Sequence, residues 1–478
     1  MKTNWLHKIM IVAFMIVGFW SCKIPQSPLK VARKNMPSDS YGTAKDTNNI
    51  VNINWRKYFA DSNLTHLIEV ALSNNQELQI VLQEIEISKN EVKARKGEYL
   101  PFVRWMAGSG VEKVGKYTRF GAVEEQLEIK DNEKFPKPLQ DHLLTASVAW
   151  ELDIWKKLRN AKKSATLKYL ATTEGKNFMI TQLIAELSNA YYELLALDNL
   201  LDIIEKNIEI QSNALRIVQQ QKESAKVSQL AVNRFEAQLL NTQNLQYDIK
   251  QKITETENKI HFLTGKYEKP IRRSTSQFLN STLDSIYATG VPSQLLNHRP
   301  DVRQAELALA AAELDVQVAK ANFYPSVAIR ASVGLQAFNP AYLINPESLL
   351  YGLAGDLIAP LINRNAIKAT YNTANAQQIQ AVYRYEQTIL NAYVDVLNQM
   401  AKVENYHKSY QTKNQEVEIL MQSVSIANSL FNSARADYAE VLLTQREALD
   451  ARIDLLEIRM KQLNAKVNLY RALGGGWN

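Results

Sequence analysis

Residues 319–336 read AKANFYPSVAIRASVGLQ, and the spacing of the apolar residues changes halfway through. Upstream, ELALAAAELDVQVAKA is Ala-rich with apolar residues three and four apart, the period of a helix. Beyond Pro325 they fall on every second position: Val327, Ile329, Ala331, Val333, Leu335 and Ala337. The alternate positions hold Ser326, Ala328, Arg330, Ser332, Gly334 and Gln336. Proline explains the switch, because it ends helical bonding and pushes the preceding residue out of the α region. The stretch therefore predicts a helix running into a strand with one apolar face.

The same sentence is written twice. An offset of 224 pairs Pro101 with Pro325, Tyr99 with Phe323, Val103 with Val327 and Gly110 with Gly334. It also pairs Asn75-Gln76-Glu77-Leu78 with Arg299-Pro300-Asp301-Val302. In the first copy Val103, Trp105, Ala107, Ser109 and Val111 share a side. Each strand has a returning partner: LLTASVAWELDIW, with Leu144, Ala146, Val148, Trp150, Leu152 and Ile154 on one face, and LLYGLAGDLIAPLI, with Leu349, Tyr351, Leu353, Gly355 and Leu357. Polar residues 115–142 read as a long loop in the first hairpin, and residues 338–348 as a shorter one in the second.

A long heptad row follows each hairpin. Ile180, Leu187, Leu194, Leu201, Ile208 and Leu215 recur every seventh residue, with Gln211 breaking the intermediate positions. Val382, Ile389, Val396, Val403, Tyr410, Val417, Val424 and Phe431 do the same in the second copy. That period is a coiled-coil seam. NAY recurs at Asn189 and Asn391, offset 202, and Ser-Ala at Ser224 and Ser433, offset 209, which predicts one extra heptad in the second copy. The helices turn near those Ser-Ala pairs and return to LTGKY (263–267) and LGGGW (473–477), where Gly supplies the caps. Roughly 60 residues of helix span about 90 Å, too long for a compact domain.

Four strands of this length match the ~9–11 residues that cross a bilayer as tilted strands. Strands in lipid must close, since an open edge leaves backbone groups unpaired, and four are too few. Two copies give eight strands and three give twelve, and geometry leaves both open. Tyr99, Trp105, Trp150, Trp155, Phe323, Tyr324 and Phe338 are candidates for aromatic girdles. A soluble sheet half-covered by helices is the competing reading, and the N-terminus weighs against it. MKTNWLHK and the apolar IMIVAFMIVGF read as a secretory leader. The leader ends at Ser21-Cys22, and Cys22 is the only cysteine, so disulfides are excluded and an acylation site is expected.

The pieces LLNHRPDVRQAELALAAAELDVQVAKANFYPSV, VAWELDIWKKLRNA, SARADYAEVLLTQREAL and LGGGW, with the duplication, resemble the TolC-like outer-membrane efflux ducts, above all their lipoprotein branch. The resemblance implies a mainly α chain with membrane β: long coiled-coil helices forming a periplasmic tunnel, and four strands per chain in a shared trimeric barrel. It implies a homotrimer in the bacterial outer membrane, extending into the periplasm. Its partners would be a periplasmic adaptor (membrane fusion protein), an inner-membrane RND-type pump and outer-membrane lipid. The exit duct would pass small molecules such as drugs and toxic compounds, with metal-cation efflux or type I protein secretion as alternatives. No cofactor is implied beyond covalent lipid, acyl and diacylglycerol, on Cys22. The family closes its periplasmic end at the hairpin tips, which makes Asp437 and Glu440, with Arg435 beside them, the gate candidates. Ala225 and Ala434 stand where the family often has Gly, Ala231 where Asp is common, and Leu443 where a further acid is usual.

The expected organisation is a signal peptide at 1–21, an acylated segment at 22–60 and a first repeat at 61–265 with strand hairpin 99–155 and helical hairpin 156–265. A linker at 266–292, a second repeat at 293–473 with hairpins 323–362 and 363–473, and a tail at 474–478 complete it. Arg299, Pro300 and Asp301 read as a structural helix start, with Asp301 complementing the dipole. No catalytic or metal-ligating residues are expected. The six histidines are scattered, and there is no phosphate loop or nucleophile elbow. The methionines are spread too widely for soft-metal handling. A net charge of +7 arrives without a basic cluster interleaved with aromatics, so nucleic acid is not a partner.

Overall fold

The computed structural model describes residues 29–32, 53–59, 61–130, 132–267, 270–274, 278, 298–360, 364–433 and 435–477. The leader, Cys22, Ala434 and most of the 266–292 linker lie outside them. The elements are α1 (Trp55–Tyr58), α2 (Ser62–Asn74), α3 (Gln76–Glu98), β1 (Phe102–Glu112), α4 (Arg119–Gln126), β2 (Glu128–Lys130), β3 (Glu133–Lys134) and β4 (Leu139–Leu152). Then follow α5 (Lys157–Glu223), α6 (Gln229–Thr264), α7 (Pro300–Ala321), β5 (Ser326–Ala337), β6 (Leu349–Ile358), α8 (Asn365–Asn432) and α9 (Tyr438–Ala472). They form two compact units, one drawn from Met1–Val31, Ile87–Tyr169 and Leu307–Val382, the other from Ala32–Glu86, Leu170–Glu306 and Tyr383–Asn478. Each unit takes segments from both sequence repeats.

The first unit holds one antiparallel meander in the order β1-β4-β5-β6. Its register carries the predicted faces across all four strands. Trp105 pairs with Ala146, Ala146 with Val333, and Val333 with Tyr351. Val103, Val148, Ala331 and Leu353 make the next row on the same side. No Asp, Glu, Lys or Arg occupies this face. All strand charges, Arg104, Glu112, Asp141, Glu151, Arg330 and Asp356, alternate onto the other, where Arg330 pairs with Asp356 at 2.9 Å.

Aromatic residues gather where helices become strands. The Trp150 indole donates to the Tyr99 carbonyl at 3.1 Å, and that of Trp155 to the Pro325 carbonyl at 2.7 Å. Trp155 stacks on Tyr324 at 4.6 Å. At the far end Phe338 meets Phe135 and Tyr342. Phe323 departs from the girdle expectation. It is buried against Tyr371, Val316 and Ala319, where the Pro-ended helix packs on α8.

Three other readings are corrected. The first loop is shorter than 115–142, because β4 begins at Leu139, and it is ordered into α4 and the β2–β3 pair. β4 stops at Leu152, so Ile154 lies past the strand: the Asp153 carboxylate turns to cap α5, accepting from the backbone of Leu158 and Arg159 at 2.9 Å each. Burial raises the Asp153 carboxyl, but these donors and the Arg159 guanidinium hold it below the usual range. Finally, α5 has 67 residues and α8 has 68, so no extra heptad exists. A heptad seam looks alike one step along, which is why the NAY match could slip by seven.

In the second unit each repeat closes through the same joint. Gly265 caps α6 at φ 64°, and a Cβ there would meet the Asn74 carbonyl at 2.4 Å. Gly474 follows α9 at φ 96°, and its Cβ would meet the His298 carbonyl at 2.6 Å. Next to these, Asn75 donates to the Leu263 carbonyl at 3.0 Å, and Arg299 to the Ala472 carbonyl at 2.8 Å. Each thus satisfies an orphan carbonyl at a helix C-terminus. Arg299 also forks onto Asp301 at 3.0 and 2.7 Å and lies 3.5 Å from Asp395. Burial works against its charge, but the two carboxylates prevail and raise its pKa above the ordinary arginine value.

The Arg299→Met variant should cost about 3 kcal/mol, because it leaves Asp301 without its counter-ion and a helix carbonyl without its donor in a buried site. Asn75→Ala should cost about 1–2 kcal/mol by the same logic without the charge. Thermal unfolding of the assembled protein followed by helicity should rank them in that order. Ala225, at φ 50°, is a non-glycine residue in the left-handed region at the end of α5. Ala225→Gly should relieve about 1 kcal/mol and raise the melting temperature. An unchanged or lower value would show the turn is unstrained.

Candidate functional site

The gate candidates lie in the second unit, at the tip of the second helical hairpin, which the tip of the first hairpin matches. Both tips turn by the same chemistry. Lys226 N–H donates to the Gln221 carbonyl, and Arg435 N–H to the Leu430 carbonyl, each at 2.9 Å and each closing over six residues. This is the helix-ending motif that places the intervening residue in the left-handed region, as Ala225 is. The offset of 209 that joins Lys226 to Arg435 also joins Ser228 to Asp437 and Ala231 to Glu440.

The paired positions behave differently. Ser228 caps α6, its side chain accepting from Ala231 N–H at 3.4 Å, and Ala231 is fully buried. Asp437 occupies the cap position of α9 with extended backbone, yet its carboxylate makes no capping hydrogen bond. Glu440 stands in the first turn, with its N–H on the Asp437 carbonyl at 3.2 Å. Asp437, Glu440 and Arg435 are exposed, and none is in an ion pair among the described residues. The structure therefore brings the three together on one short segment without neutralising them. The helix dipole at an N-terminus offsets part of the cost of two acids there.

Apolar packing decides which way they face. Val218, Ala231, Val232 and Phe235 form a core at the first tip, and Tyr438 and Leu442 of α9 pack against it. Those two residues, one helical turn apart, fix the side of α9 that meets the first hairpin. Glu440 and Leu443 are left on the outer side, with Leu443 54% exposed. Tyr438 and Leu442 were not singled out in the sequence. Their i, i+4 spacing next to the turn was the available signal.

The second functional feature lies in the first unit. Among the described residues β1 and β6 each pair on one side only, so the meander has two open edges. The face free of charges is solvent-exposed in the single chain, with Tyr351 at 82% and Leu353 at 79%. No described helix is long and apolar enough to cross a membrane.

Comparison with known proteins agrees with this geometry. The sequence pattern of the outer membrane efflux protein family matches residues 67–266 and 291–475. Among relatives, the pyoverdine export outer membrane protein OpmQ of Pseudomonas putida is 28% identical over 423 residues, 88% of this chain and 88% of its own. The cation efflux system protein CusC of Escherichia coli is 24% identical over 468 residues, covering 98% and 97% of the two chains. Among solved structures, the outer-membrane channel OprN superposes with a TM-score of 0.82 at 22% identity, over 95% of this chain and all (100%) of that one. A membrane protein from Pseudomonas aeruginosa gives 0.85 at 21% identity, over 94% and 97%. The fold is thus that of the TolC-like channels, as the strand and helix patterns imply. With the family pattern covering most of its length, the chain belongs to the outer membrane efflux protein family, whose members are outer-membrane channels reaching into the periplasm.

Proposed function

We propose that three copies of this chain close a twelve-stranded barrel in the outer membrane and serve as the exit duct of a tripartite efflux system. A periplasmic adaptor and an inner-membrane RND-type pump would supply small molecules, which the duct conducts without transforming. The observation that carries this reading is the meander with two open edges and all its strand charges on one face. Open edges are untenable in hydrocarbon and are removed by pairing β6 of one copy with β1 of the next. The charged face then lines the lumen and the other meets lipid. Relatives are named for pyoverdine, toluene and cation efflux. One duct architecture serving such different cargoes supports assigning cargo choice to the pump.

In this reading the tips of α8–α9 form the periplasmic gate. Two acids per chain, Asp437 and Glu440, would gather up to six like charges near the axis, where narrow walls focus the field. Such a ring favours cations. Its repulsion opposes closure, so the apolar packing of Tyr438 and Leu442 must outweigh it at rest.

Two measurements test the proposal. Native mass in detergent should be near three protomers, and a stable monomer with full β content would contradict the barrel. In planar bilayers, Asp437→Asn with Glu440→Gln should lower cation selectivity, most clearly at low salt, since screening sets in over ~10 Å at 0.1 M. Glu404→Gln with Glu416→Gln, far from the tip in sequence, should change it less. Unchanged selectivity in the tip double mutant would leave these acids as solvated helix ends.

A further inference from the structure

Helix α8 carries a buried row at Tyr371, Ala374, Gln378, Val382, Tyr385 and Ile389, spaced three and four apart as a seam requires. Gln378 is the one polar member of this run, and its side chain is fully buried. An amide buried that deeply is costly unless both its donor and its acceptor are bonded. Here both bonds go to a single residue of the N-terminal segment. Lys30 N–H donates to Gln378 Oε1 at 3.2 Å, and Gln378 Nε2 donates to the Lys30 carbonyl at 2.8 Å.

This is how one strand reads its neighbour: one donor and one acceptor of the same residue, matched in parallel. Residues 29–32 have the alternation of an extended segment. Leu29 and Val31 are exposed, while Lys30 and Ala32 are half-buried. Gln378 therefore recognises the backbone of residue 30. The strands, Gln378 and Lys30 all belong to the first compact unit. Lys30 stands eight residues after Cys22. Eight residues reach at most about 28 Å, whatever their conformation.

We propose that the seam of α8 at Gln378 is a docking site for the chain's own N-terminal segment, and that this pin sets how far the anchor can travel from the strands. The second half rests on acylation of Cys22. A tether fixed at Lys30 holds acyl chains beside the membrane their own barrel enters, which makes lipid insertion an intramolecular event. Gln378 is thus a positioning residue: it acts on the anchor through the segment it holds.

Trypsin reads the pin directly, because a protease must take up the backbone of the residue it cleaves after, and Gln378 already holds that of Lys30. On the purified full-length assembly, mass spectrometry should find slow hydrolysis of the Lys30–Val31 bond. Gln378→Met keeps the side chain's length and loses both hydrogen bonds, so cleavage should quicken about tenfold or more. If that variant does not assemble, Gln378→Asn, one methylene too short to make both bonds, should act the same way. Lys30→Arg should keep the slow rate, since Gln378 holds the backbone and the side-chain charge is retained. Gln399→Leu removes a different seam glutamine, one that bonds Asp395, and should leave the rate unchanged. Equal rates in wild type and Gln378→Met, or equal acceleration by Gln399→Leu, would overturn the docking site. The mass of the released peptide tests the anchor separately. A diacylglycerol and acyl chain on Cys22 support it, and an unmodified peptide would sink the anchoring half while leaving the pin.

Discussion

The rest of the molecule depends on hydrogen bonds that the described residues of the single chain leave unmade. β1 and β6 each turn one row of backbone donors and acceptors outward, and hydrocarbon offers no partner for them. In water such edges would be an aggregation hazard. In a membrane they are a demand for another copy. In the proposed barrel that pairing gives each face its meaning: Trp105, Tyr351 and Leu353 would meet lipid, and Arg330 with Asp356 would meet water.

Much of this was legible in the order of residues. Alternation through 327–337 and its partners assigned the strand faces correctly, because a strand has a period of two and lipid tolerates no charge on one side. Proline at 101 and 325 marked both helix-to-strand transitions, and the Ser-Ala pairs marked both turns. Local rules sufficed because the elements are long and each signal repeats. What escaped was specified by partners distant in sequence. The reading of Arg299 as a helix start missed that its guanidinium bonds the carbonyl of Ala472. Phe323 looks like a girdle residue until α8 covers it. The slipped heptad shows the limit of periodicity, which gives phase without count.

The candidate gate was legible only in part. Spacing placed Asp437 and Glu440 at a turn, and the structure adds that Asp437 declines the capping bond that Ser228 makes at the equivalent position. A cap residue that does not cap leaves its charge available. That distinction depends on side-chain direction, which Tyr438 and Leu442 set by packing on the neighbouring hairpin. Sequence named the charges, and packing chose their side.

The duplicated joint has an evolutionary consequence. Gly265 with Asn75 and Gly474 with Arg299 make one geometry with two chemistries, so the halves share an ancestor's scaffold and have since diverged. A half-length chain could build the same wall only as a hexamer, and every tip, loop and groove would then occur six times over. Fusing two halves breaks that identity. One copy has a serine-capped tip and an ordered loop, while the other carries the acids and the glutamine that holds the N-terminal segment. Each specialisation could be selected without imposing it on the sister half, a freedom that a symmetric ring of identical short subunits does not have.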